Sequence, residues 1–187
     1  MTFAVVLSIC ASLLIASVTA SQDLPEDNPA LQVYQNIGEC FPLKETLYQL
    51  YQNFESDPFF GGAGMCFRVT DTGPYVDGST TATVQYSPDV SLDVLLTLVS
   101  TPGYEVKDVV NVQSVNDPSV TFNFTTAYTD CDSCMIFRHS YTESGKGCSY
   151  WVPESKLGVN NTCCEFIYDL LCGASPKYQV YEDCDLA

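Results

Sequence analysis

Ten cysteines spread through 187 residues constrain this chain more than any other feature. That density belongs to an oxidising compartment, where thiols pair and staple a fold. Cys10 lies in an almost continuous apolar run from Phe3 to Ala16, which is followed by the small residues Val18-Thr19-Ala20. The run is too short for a comfortable membrane span and ends as a secretory signal peptide ends. Residues 1–20 therefore read as a leader removed on secretion, and no later stretch reaches the ~20 apolar residues that a spanning helix needs. Removal takes Cys10 away and leaves Cys40, Cys66, Cys131, Cys134, Cys148, Cys163, Cys164, Cys172 and Cys184. Nine is odd, so one thiol stays free or pairs with another chain.

Residues 21–187 are long enough for one domain with a proper core. Ser21 to Pro29 is polar and proline-bearing and reads as a flexible leader. Leu31, Tyr34, Ile37, Leu43, Leu47, Leu50, Tyr51 and Phe54 include several three- and four-residue steps, the spacing of one or two short helices broken near Gly38 and Pro42. Asp57-Pro58 stops any helix, and Gly61-Gly62-Ala63-Gly64 reads as a turn.

Beyond Cys66 the texture changes to short apolar or alternating runs parted by Gly, Pro, Asn and Asp. Strands are expected at 65–70, 80–86, 92–100, 104–112, 120–128, 134–141 and 148–152, which suggests a sandwich or an up-and-down barrel. Val120, Phe122 and Phe124 alternate with Thr121, Asn123 and Thr125, putting aromatics on one face and a glycosylation sequon on the other. A second sequon begins at Asn160. Thr162-Cys163-Cys164-Glu165 reads as a capping box, with Thr162 at the N-cap of a helix that Gly173 ends.

The charge excludes whole classes of partner. Seven basic residues against 23 acidic ones give −16, which repels nucleic acid and anionic membrane surfaces. Catalytic signatures are missing too. The single histidine, His139, sits in an expected strand without a nucleophile motif and reads as structural. One histidine and paired cysteines offer no metal set, and no cofactor motif is present. Cys131-Asp132-Ser133-Cys134 has redox spacing but leads into a strand, whereas a redox thiol needs a helix N-terminus. Glu105 and Asp108 project to opposite faces of an expected strand, so they form no acid–base pair. An enzyme is not expected. An inward carboxylate among aromatics, by contrast, attracts a cationic ligand.

Three segments resemble the salivary lipocalins of ticks, including their histamine-binding proteins. They are Tyr51-Gln52-Asn53-Phe54-Glu55-Ser56-Asp57-Pro58-Phe59-Phe60-Gly61 before Cys66, Gly147-Cys148-Ser149-Tyr150-Trp151-Val152, and Cys163-Cys164-Glu165-Phe166-Ile167-Tyr168-Asp169-Leu170-Leu171-Cys172-Gly173 before Tyr178 and Cys184. The resemblance implies a mainly β fold: an eight-stranded antiparallel lipocalin barrel with an N-terminal helical segment and a C-terminal helix packed on its side. It implies Cys66–Cys184, Cys134 with one of Cys163 and Cys164, Cys40 with the other, and Cys148–Cys172, leaving Cys131 odd. Which of Cys131 and Cys134 pairs stays open.

By the same resemblance, the ligand site draws on Phe54, Asp57, Phe60, Phe122 and Phe124, with Glu105 one register position from a pocket acid. The acids of the family's second amine site fall at Met135 and Ser149, neither of which ionises to a carboxylate. The implied function is a secreted, monomeric protein that sequesters a small host mediator, a biogenic amine such as histamine or serotonin, with Asp57 as counter-ion. The alternatives are a lipid mediator in the cavity, or inhibition of host complement or haemostasis through surface loops that bind a protein. Glycans are expected on Asn123 and Asn160.

Overall fold

The structure is a computed structural model describing residues 24–59, 62–182 and 184. The leader 1–20 and Phe60 lie outside the described residues. Eight antiparallel strands close into a barrel: β1 (Leu47–Gln52), β2 (Met65–Asp71), β3 (Ser79–Ser87), β4 (Val90–Val99), β5 (Val109–Ser114), β6 (Thr121–Thr129), β7 (Met135–His139) and β8 (Gly147–Pro153). Neighbours follow chain order from β2 to β8, then β8 pairs with β1 and β1 with β2. Leu47 opposite Val69 and Tyr48 opposite Arg68 make that last seam. A two-residue strand, β9 (Tyr178–Gln179), pairs with the far end of β1. Closure satisfies the strand edges that an open sheet would expose.

Alternation builds the interior. Ala82 and Val84 on β3, Val94, Leu96 and Leu98 on β4, and Val110 and Val112 on β5 all point into one core. Each buried Val or Leu contributes roughly 1.5–3 kcal/mol. The barrel and seven strands thus match the sequence reading, except that β5 begins at Val109. Residues 100–108 are instead a loop closed by Asp108, whose carboxylate accepts the Thr101 N–H at 2.6 Å and its hydroxyl at 2.5 Å.

The stretch expected to be helical up to Phe54 is corrected. Only residues up to Cys40 are helical, as 3-10 turns at Pro29–Tyr34 and Ile37–Cys40, and Leu47–Gln52 is strand β1. Its two faces are both covered, Leu47 by the barrel core and Tyr51 by the C-terminal helix cluster. A bulge between Gln49 and Tyr51 also breaks its register. A doubly covered strand has no period-two signal, so its apolar spacing imitated a helix.

The expected flexible leader is also corrected from Leu24 onward. Pro25–Asp27 forms a 3-10 turn whose Glu26 is buried. Arg138, pointing outward from β7, donates its Nε–H to Glu26 Oε1. Its other nitrogens donate to the carbonyls of Lys146 and Leu171, both at 2.9 Å. One guanidinium therefore joins the N-terminal turn, the β7–β8 hairpin and the C-terminal helix to the barrel.

That helix, α1 (Thr162–Cys172), starts one residue earlier than the capping-box reading places it. Asn161 is the N-cap, its Oδ1 accepting the Cys164 N–H at 3.2 Å. Gly173 ends the helix at φ +88°, a backbone angle that L side chains resist. Cys164 and Tyr168, four residues apart, face the barrel, where the Tyr168 ring stands edge-on to Tyr51 at 4.8 Å.

The disulfides are Cys66–Cys184, Cys134–Cys164, Cys148–Cys172 and Cys40–Cys131. The first and third match the implied pairs, and Cys134 takes the Cys164 option. The implied Cys40–Cys163 bond and the odd Cys131 are corrected. Neighbouring helix residues point about 100° apart, so with Cys164 facing the barrel Cys163 faces solvent, and it is free. Cys40, closing the 3-10 turn before strand β1, instead meets Cys131 in the β6–β7 turn.

Alkylation under non-reducing conditions should label Cys163 and leave Cys131 unmodified, as read by peptide mass mapping. A labelled Cys131 would contradict this pairing. Arg138→Met should cost about 3–5 kcal/mol of unfolding free energy, because it strands the buried Glu26 carboxylate. Adding Glu26→Gln should recover part of that loss in denaturant titrations.

Candidate functional site

Strand direction sorts the loops between the two ends of the barrel. The β1–β2, β3–β4, β5–β6 and β7–β8 connections share one end, and Asp57 lies there in the first of them. Its main chain pairs with Gly62, through N–H to carbonyl contacts of 2.8 and 3.0 Å. Asp57 Oδ1 accepts the Phe59 N–H at 2.8 Å, a turn that a short acid closes before Pro58. The residue is only 6% exposed.

Asp57 Oδ2 accepts the Tyr141 hydroxyl at 3.0 Å. Tyr141 also lies 2.9 Å from His139 Nδ1, and His139 Nε2 lies 2.7 Å from Ser149 Oγ. Ser149 Oγ in turn accepts the Trp151 Nε1–H at 2.7 Å. Donor chemistry settles the direction of this relay. The indole only donates, and the Tyr141 proton goes to Asp57. Burial holds the His139 pKa down at about 3, with Arg138 adding to the effect, so the ring is neutral. Its Nδ1–H then donates to Tyr141, and its Nε2 accepts from Ser149. Burial, and next the Asp57 carboxylate, push the Tyr141 phenol well above its usual range, so it remains a donor.

Aromatic rings crowd the relay. His139 meets Phe54 at 5.1 Å and Phe124 at 4.6 Å between centroids. Phe59 stacks on Phe122 at 5.3 Å and stands edge-on to Tyr141 at 4.9 Å. It is 45% exposed and covers the mouth. Below, the barrel encloses a void of about 40 Å³ lined by Phe41, Leu43, Leu47, Val69, Val84, Leu96, Val110, Val112, Phe124, Phe137 and Trp151. Every lining group is apolar apart from the indole N–H.

Ser149 and His139 have the spacing of a nucleophile and its base, but not the environment. Ser149 has no exposed surface, its hydroxyl proton is committed to His139, and a base this weak cannot take it. The pair is a structural strut.

Of the expected ligand residues, Phe54, Asp57, Phe122 and Phe124 meet at this end. Glu105 does not. It is exposed in the β4–β5 loop at the opposite end, where its N–H donates to Gln32 Oε1 at 2.7 Å. Thr101-Pro102-Gly103 turns the chain before β5, so the expected strand began too early. Met135 belongs to the core and Ser149 to the relay. Sequence reading missed Phe59, Tyr141, Ser149 and the void-lining Phe41 and Leu43. Continuing the period-two pattern through 137, 139 and 141 on one strand and 149 and 151 on the next points to two of these positions, Tyr141 and Ser149.

The sequence model described as tick histamine binding protein matches residues 25–185. The chain belongs to the tick histamine-binding protein family. Among solved structures, the AM182–serotonin complex superposes at TM-score 0.54 with 18% identity, over 74% of this chain and 83% of that one. Japanin from Rhipicephalus appendiculatus bound to cholesterol superposes at 0.51 with 14% identity, over 75% and 95%. At these identities the likeness is one of fold, and the fold is the lipocalin barrel. No curated protein matches the chain.

Because the sequence holds one histidine, its NMR signals are unambiguous. They should show the Nδ1–H tautomer and no titration between pH 8 and about pH 4.5, and a midpoint near 6.5 would refute the relay. The depressed pKa also sets a sign. Between pH 6.5 and about 3 the unfolded chain binds a proton that the folded chain refuses. This contribution to stability is therefore complete above pH 6.5 and falls by about 1.4 kcal/mol per pH unit toward pH 3. His139→Gln should flatten that slope in denaturant titrations run against pH.

Proposed function

We propose that this protein is a secreted scavenger that takes up a small aromatic amine at the Asp57 end of its barrel. The observation that carries this reading is a nearly buried carboxylate set beside the rings at the barrel mouth. Partial desolvation strengthens its pull on an ammonium group, and ring faces add cation–π attraction. A ligand ammonium would join or replace the Tyr141 hydroxyl on Oδ2, and its ring would enter the apolar void beneath. A void of about 40 Å³ is small, so entry requires Phe59 to swing off Phe122 and Tyr141. The bound ligands of the two similar folds, serotonin and cholesterol, span the amine and lipid classes.

Secretion is supported by the apolar leader and the four disulfides. Asn123 and Asn160 are both exposed, as glycosylation requires. A second reading, a lipid-like mediator, is favoured by the apolar lining, which offers a hydrocarbon no competing charge. Protein inhibition through surface loops remains the reading for a barrel that takes up neither class.

Calorimetric titration with histamine, serotonin and a leukotriene separates these readings. Serotonin should bind, and Asp57→Asn, which keeps the shape and removes the charge, should weaken it at least tenfold. Serotonin binding unchanged by Asp57→Asn would sink the amine reading. Heat from the leukotriene alone would favour the lipid.

A further inference from the structure

A hollow larger than the barrel void lies outside the barrel. It lies on the outer wall, about 320 Å³ in volume, between the N-terminal turns, strand β6 and helix α1. Its walls are Leu31 and Tyr34 from the turn, Ala127 and Tyr128 from β6, and Ile167 and Leu171 from the helix. The dent has a local origin. The β6 register slips between Thr126 and Tyr128, and the residue at the slip is an alanine, too small to fill the space that the two covering segments bridge.

One wall is polar and incomplete. Gln35, 1% exposed, lines the hollow, and its Nε2 donates to the Glu26 carbonyl at 2.9 Å. Its Oε1 is buried and accepts nothing among the described residues. A buried acceptor without a donor is costly, and a ligand donor that meets this oxygen as the Gln35 amide turns toward the hollow recovers that cost.

We propose that this hollow is a second binding site, separate from the barrel, for a small neutral or cationic aromatic molecule carrying a hydroxyl or amine donor. The volume admits a molecule of one or two rings and sits at the lower end of the range of small-molecule sites, about 300–1,000 Å³. Two tyrosines supply ring faces for stacking. Charge excludes anions. The chain carries −16, and the hollow's lining holds no basic side chain to pair with an anion. The site shares no residue with the Asp57 end, so it stands or falls independently of the amine reading.

Methyl-detected NMR with 1-naphthol, naphthalene and 1-naphthoate as probes tests the site. 1-Naphthol should shift the methyl signals of Leu31, Ile167 and Leu171. Naphthalene, which lacks the donor, should act there about tenfold more weakly, and 1-naphthoate should not bind. Ala127→Phe fills the dent and should abolish these shifts while leaving any response of Val84 and Leu96 in the barrel. Should that variant fail to fold, Leu31→Asp at the solvent edge, where Leu31 is 38% exposed, should weaken 1-naphthol at least tenfold. The proposal is overturned if only barrel methyls respond, if 1-naphthol and naphthalene bind the hollow equally, or if both variants leave 1-naphthol binding unchanged.

Discussion

Arg138 is the charge on which the outer half of the molecule depends. An arginine in the outer face of a strand normally reaches water, yet this one is sealed by the segments it binds. Glu26 offers the carboxylate, and the Lys146 and Leu171 carbonyls take two more donors. The fork geometry of guanidinium suits this task, because its donors diverge in one plane toward three different segments. Three parts of the chain that are far apart in sequence thus share one electrostatic anchor. Two disulfides reinforce it, Cys134–Cys164 near the start of helix α1 and Cys148–Cys172 at its end.

The next residue on the same strand does the opposite work. His139 turns inward, stays neutral, and passes hydrogen bonding in one direction from Trp151 to Asp57. Chains of aligned donors reinforce one another in a low-dielectric interior, so the relay holds the loop carrying Asp57 against the barrel. Asp57 is therefore a placed carboxylate, bonded to its own turn and to Tyr141. Under the amine reading proposed above, a ligand ammonium competes with those contacts, and specificity depends on how well it substitutes for the Tyr141 hydroxyl.

Acidity plays a different role from the one its size suggests. Most of the −16 lies outside the barrel, and the void contains no carboxylate. Among the described residues Asp57 is the buried carboxylate at the mouth, whereas Glu26 is paired with Arg138. A larger open volume than the barrel void lies instead on the outer wall, where a helix and a 3-10 turn bridge a slipped strand.

Several features were legible in the residues alone. Period-two alternation marks β3, β4 and β6, whose residues alternate between wetter and drier positions, whereas β7 and β8, buried throughout, are marked by the turn residues that bound them. Gly173 marks the end of α1 because only glycine accepts its backbone angle readily. The Cys66–Cys184 and Cys148–Cys172 bonds, and Phe54, Asp57, Phe122 and Phe124, follow the resemblance to tick lipocalins. Strand β1 was not legible, since burial on both faces erases alternation. Neither was the Cys40–Cys131 bond, which joins residues 91 positions apart. Glu105 was misplaced because strand propensity runs on through a loop that Asp108 closes from outside the turn. What the sequence determined by itself is local: periodicity, caps, and an odd number of thiols. Which thiol stays free, which carboxylate reaches the mouth and which is sealed against Arg138 were decided only when the barrel closed, because each depends on a partner that folding brings from far along the chain.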